Sequence, residues 1–205
     1  MTDLDDFLPY IMPKAPGCPT PTAHIALRQA AMEFCARTKL WRDSATFLMS
    51  GLDDIHFNPP DGAVLIDFES VLFNDVPLEA KTAAWMDQCM RGWRRGTIEG
   101  YPRFFAQTNM GTLRVAPIDT GVLTVNYWLK PTIEADQLPD FLLDQYAETI
   151  AWGALGRILS TPEQPFTDFN TGAAYAAAFE QKIASQSFKV AGGQQRARVR
   201  SKAQF

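Results

Sequence analysis

The residues that most often carry metal or nucleophilic chemistry are scarce in this chain: 2 histidines and 3 cysteines in 205 residues. Cys18, Cys35 and Cys89 make an odd number without a CxxC pair, which argues against a disulfide framework and for a reducing compartment. No run approaches the roughly 18 apolar residues of a membrane span. No charged-then-apolar leader opens the chain, and no internal repeat is visible. GxSxG, Walker-type, GxGxxG and HExxH patterns are all missing. These absences predict a protein made in the cytosol, with no membrane partner, no metal, no cofactor and no enzymatic activity.

What is present suits one globular unit with a real core, since 46% of the residues are hydrophobic and 20% charged. The charge is unevenly placed. Lys189, Arg196, Arg198, Arg200 and Lys202 lie in an acid-free stretch, so the net −4 leaves −9 for residues 1–188. A basic end on an acidic body points to an anionic partner or an acidic protein surface; a solvated end accounts for the composition equally well.

The chain is organised around an amphipathic helix from Thr20 to Trp41. Leu27, Ala31, Phe34, Thr38 and Trp41 follow helical spacing along one face, extended by Ile25, Met32 and Cys35. Thr20 is the expected cap and Pro21 the first helical residue. Before it, Leu4–Ile11 reads as a short helix or turn, and five prolines and glycines make a stiff connector. Two more helices are expected near Leu138–Leu159 and Asp168–Gln186. Gly153 and Gly156 mark places where backbones approach closely, and the alanines from Ala173 to Ala178 suit tight packing.

Between these helices the period changes. Ala45–Met49, Asp54–Asn58 and Ala63–Phe73 read as strands divided by turn residues. Leu78–Trp93 returns to helical spacing. Asn109-Met110-Gly111 suits a hairpin between Arg103–Asn109 and Thr112–Ala116, and Val122–Leu129 is the strongest strand. The predicted fold is therefore α+β: an antiparallel helical bundle from residues 1–44 and 131–188, a small antiparallel β-rich insertion at 45–130 whose connections are mostly hairpins, and an extended basic tail at 189–205.

Few residues invite a chemical role. His24 and His56 lack neighbouring ligands at metal spacing and read as structural. Asp53 and Asp54, or Asp67 and Glu69, resemble paired carboxylates, but a solvated strand face explains the second pair as well. Cys35 and Cys89 read as small core residues. Arg91-Gly92-Trp93-Arg94-Arg95 is the one internal basic cluster, suited to phosphate or to an acidic neighbour. The alternating Arg196, Arg198 and Arg200, flanked by Lys189 and Lys202 and closed by Phe205, read as an extended arm that presents guanidinium groups to an acidic surface and orders on binding.

Six stretches carry a resemblance: DFLPYIMPKAPGCP, ALRQAAMEFCARTKLW, LFNDVPL, GYPRFF with GTLRVAP, LPDFLLDQYAETIAWGALGRIL and PFTDFNTGAAYAAAFEQKI. In this order they resemble the head-to-tail adaptor (connector) proteins of tailed bacteriophages, the group that includes tail tubular protein A. The resemblance implies a virion structural protein, typically a ring of twelve subunits between portal and tail. It implies a tail tube or nozzle protein as the next partner, and DNA passing through the ring unread. It implies residence at the head–tail interface, after synthesis in the host cytoplasm. A stopper or head-completion protein of the neck is the neighbouring alternative. A DNA-binding protein using the basic tail is a third reading.

Overall fold

The structure, a computed structural model, describes residues 1–51 and 54–192, the side chains of 187–192 excepted. In chain order the elements are β1 (Thr2–Asp3), a 3-10 turn (Leu4–Phe7), α1 (Leu8–Ile11), α2 (Thr20–Thr38), β2 (Arg42–Ser50), β3 (Ile55–His56) and β4 (Ala63–Phe73). Next come β5 (Val76–Pro77), β6 (Glu79–Ala80), α3 (Ala83–Cys89), a 3-10 turn (Trp93–Arg95), β7 (Phe104–Asn109), β8 (Thr112–Ala116) and β9 (Thr120–Pro131). The chain ends on β10 (Gln137–Leu138), α4 (Asp140–Leu159) and α5 (Phe169–Gly192).

Two compact units result. The first comprises Met1–Trp41, Asp61–Val64 and the described part of Lys130–Phe205. The second comprises Arg42–Pro60 and Leu65–Leu129.

In the first unit α2, α4 and α5 bury a shared core. Leu27, Phe34, Leu142, Ile150, Leu155 and Phe179 all lie in it, and Phe7 and Ile11 close one side. The Phe34 ring lies 5.0 Å from Tyr146 and 6.4 Å from Phe179. Close approach rests on missing side chains. A methyl built on Gly153 would stand 2.9 Å from both Ala30 and the Phe179 ring; one on Gly156 would stand 3.1 Å from Ala176. The terminal strand β1 pairs antiparallel with β10.

In the second unit one sheet has the order β2-β9-β4-β5 and another β3-β8-β7-β6. β2 and β9 run antiparallel in unbroken register from Arg42↔Trp128 to Ser50↔Thr120. Phe57 sits among Phe47, Phe68 and Tyr127, with ring centroids 5.1 to 5.6 Å away. Burying such rings contributes both area and edge-to-face contacts. A second cluster gathers Met86, Trp93, Ala106 and Ala116.

This architecture corrects the expectation of a helical bundle with a small antiparallel β insertion. The chain is α+β, but among the described residues it has ten strands in three sheets beside five α-helices, and is strand-rich. Hairpins join only β4 to β5 and β7 to β8 among the described residues. β2 pairs with β9, far along the chain, and β6 pairs parallel with β7. Local periodicity fixes which face of a strand is apolar; it says nothing of which distant strand covers the edge. The helical unit also holds a sheet of its own, β1 with β10. Nor does an extended tail begin at Lys189, because α5 continues to Gly192.

Smaller corrections have local causes. α2 ends at Thr38, where Lys39 turns left-handed at φ 52°, so Trp41 lies outside it. Pro19 is its N-cap and Thr20 makes no capping bond. Ile25 is 51% exposed rather than on the buried face. The expected helix at Leu78–Trp93 shrinks to α3, because Glu79 and Ala80 pair with β7 and Thr82 caps the helix by accepting from the Trp85 amide at 3.2 Å. Ala173, Ala174, Ala176 and Ala177 are exposed.

Candidate functional site

Exposed charge in the first unit is arranged as a lattice between helices. The Arg37 guanidinium of α2 donates to Glu180 of α5 at 2.6 and 2.8 Å, and to Glu33 one turn earlier at 3.0 Å. Glu33 also accepts from Arg157 of α4, whose guanidinium donates to the Gly153 carbonyl as well, at 2.6 Å. Hydrogen bonds from Arg37 hold the Glu180 carboxyl below its ordinary range. These groups are substantially exposed, so they specify how the helices align more than they add stability. At this lattice lies an open depression of about 370 Å³, lined by Gln29, Met32, Glu33, Ala36, Lys130, Ile133 and Arg157.

The chain's start is tied down in the same unit. The Met1 amine and the Thr2 hydroxyl both reach the Asp140 carboxylate at 2.7 Å, and they lower its pKa. His24 meets Asp5 at 2.9 Å.

In the second unit the basic cluster forms a fixed loop. Gly92 and Gly96 adopt φ of 92° and 64°, a conformation that glycine reaches without the Cβ clash. Between them the buried Trp93 points its indole N–H at Asp87, 2.8 Å away, and Arg94 grips the same carboxylate at 2.7 and 2.9 Å. Arg94 first, then Trp93, holds the Asp87 carboxyl down to about 2. The Arg94 guanidinium lies over the Trp93 ring, 4.8 Å from its centroid. From the neighbouring strand Arg114 donates to the Arg94 carbonyl and binds Asp54 at 2.8 and 2.6 Å. Arg94 is therefore committed to structure, while Arg91 and Arg95 remain exposed.

Among the described residues, those singled out from the sequence do not come together as a catalytic centre. Asp54 is occupied by Arg114, which lowers its pKa. Asp53 lies outside the described residues. Glu69 pairs with Arg42. His56 meets Thr112 at 3.2 Å. Among the described residues no group of three His, Cys, Asp or Glu is placed to hold a metal ion. Burial pushes the Cys35 thiol up to about 12, so it stays protonated; Cys89, expected in the core, is exposed. Lys189 belongs to α5, and Arg196, Arg198, Arg200, Lys202 and Phe205 lie outside the described residues.

Sequence reasoning missed Arg114 and Asp87. Their partners are 60 and 7 residues away, and only the second spacing left a local trace, an acid one or two helical turns before an Arg-rich turn. The arrangement binds its own charges to one another and leaves a few guanidinium and carboxylate groups outward. Among the described residues no helix is long and apolar enough to cross a membrane. No curated protein matches the chain. A family model, that of the SU10 adaptor protein, matches residues 5–203, and the chain belongs to the SU10 adaptor protein family.

Proposed function

We propose that the chain is a virion structural protein, an adaptor joining the head of a tailed bacteriophage to its tail. The observation that carries this reading is the family match, which spans nearly the whole chain. In this reading the protein is of the tail-tubular-protein-A kind. It forms a ring of about twelve copies on the portal and receives a tail tube or nozzle protein, while DNA slides through without being read. The helix-rich first unit meets the portal and the strand-rich second unit faces the tail. Lys189, Arg196, Arg198, Arg200, Lys202 and Phe205 fasten each copy to the portal or to its neighbour. The acidic body suits a lumen that must not hold phosphates.

The test is to measure solution mass with and without the purified portal, then to image the neck of the particle by cryo-electron microscopy. A ring of this chain on the portal, between portal and tail, is expected. Density for this chain elsewhere in the particle, or no association with the portal, refutes the reading.

A further inference from the structure

Most cations of the second unit are paired within it: Arg42 with Glu69, Lys81 with Glu79, Arg94 with Asp87 and Arg114 with Asp54. Arg91, Arg95 and Arg103 are not, and Arg91 and Arg95 share one loop. Both are exposed, and neither has a carboxylate partner among the described residues. The loop that carries them is fixed by the buried Trp93, by Asp87 and by Arg114, so little freedom is lost when it binds. On α4 the reverse occurs. Asp144 and Glu148 stand exposed one turn apart, with no cationic partner among the described residues. Like charges four apart on a helix repel, so this pair weakens α4 unless something outside neutralises it.

We propose that the Arg91/Arg95 loop of one copy docks on the Asp144/Glu148 turn of a second copy. Two guanidinium groups four residues apart meet two carboxylates four residues apart, and the charges complement. The contact is heterologous, each copy offering a different patch, and such contacts close into rings when the rotation allows. Duplex DNA is the poorer partner. With Arg196, Arg198, Arg200 and Lys202 set aside, residues 1–192 carry −8, a field that repels a polyanion. The inference deepens the adaptor reading and rests on it for its biological sense, but the association is measurable without a portal.

The experiment follows the mass of the full chain against concentration and salt by light scattering. It uses the wild type, R91E/R95E, D144R/E148R and an equal mixture of the two variants. The wild type is expected to self-associate and to dissociate as salt rises. Each reversed variant should lose at least about tenfold in association constant, since attraction becomes like-charge repulsion. The mixture should recover it, because every loop then faces an opposite charge on the other variant. Neutral R91Q/R95Q and D144N/E148Q weaken association less and serve if a reversed chain misfolds by circular dichroism. A wild type that is monomeric at every concentration overturns the inference and leaves the adaptor reading standing, because that reading is tested on the portal. Variants that associate like the wild type, or folded variants whose mixture fails to recover, also overturn it. So does R91E/R95E losing affinity for duplex DNA while self-association is unchanged, which would identify phosphate as the partner.

Discussion

Gly153 gives the sharpest test of how the helices of the first unit are held. Replacing it by alanine puts a methyl 2.9 Å from the Ala30 Cβ on α2 and 2.9 Å from the Phe179 ring on α5. Carbon atoms rest at about 3.5–4.0 Å, so α2 or α5 must retreat by roughly 0.6–1 Å. Overpacking of this size costs about 1–3 kcal/mol, and alanine returns at most about 1 kcal/mol through helix propensity. Gly153→Ala should therefore destabilise the unit by about 1–2 kcal/mol. In a chain of this length that lowers the melting midpoint by roughly 2–8 °C. Circular dichroism at a helical wavelength, during heating or urea unfolding, reads the change. A second substitution locates the cause. Ala30→Gly should cost less in the Gly153→Ala background than in the wild type, because there it also relieves the clash. A double-mutant cycle with zero coupling, or a midpoint that Gly153→Ala leaves unchanged or raises, refutes the packing argument.

Three further outcomes are expected. Maleimide labelling of the folded chain should modify Cys89 quickly and leave Cys35 intact until unfolding, because Cys35 is buried and its thiol is pushed up to about 12; equal rates would contradict the burial. The Asp87 carboxyl should titrate near 2 by NMR, and Arg94→Gln should move it toward the ordinary range. Since its folded pKa is depressed, Asp87 supports the fold above the ordinary carboxylate range and loses that support as pH falls toward 2; no shift in the Arg94 variant would break the assignment. Truncation after Phe188 should keep the helical signal and abolish portal attachment; normal attachment would remove the basic end from the proposed interface.

How much was legible beforehand depended on the range of the signal. α2, α4 and α5 were visible because apolar residues recur every three or four positions, and Gly153 and Gly156 because glycine inside a helix needs a packing reason. The β7–β8 hairpin was visible because Asn109-Met110-Gly111 is a local turn, with Gly111 at φ 69°. The pairing of β2 with β9 was not, since Arg42 and Trp128 lie far apart in the chain and nothing local marks them as partners. Strand faces are written in alternation, and neighbours are decided by which edges remain uncovered. The Leu78–Trp93 stretch misled for a related reason. Leu78, Thr82 and Trp85 fit a helix, but Glu79 and Ala80 gain more by completing a sheet edge. The site was partly legible. Arg91 to Arg95 stood out as a basic run, yet which arginines were structural depended on Asp87 and on the distant Arg114.

The register of β2 with β9 also sets how the second unit bears load. The chain first enters the unit at Arg42 and last leaves it at Leu129, with Asp61–Val64 passing through the first unit in between, and Arg42 lies directly across from Trp128. Drawing those two adjoining ends apart peels the strands from one end, so the hydrogen bonds from Arg42↔Trp128 toward Ser50↔Thr120 yield one after another instead of together. A sheet pulled along its strands shares the force across all its bonds; one peeled in this way meets it with a single bond at a time. Under tension applied between Arg42 and Leu129, the unit is mechanically soft at that end however well its core is packed, and an optical-trap measurement with handles at residues 42 and 129 should show rupture at low force.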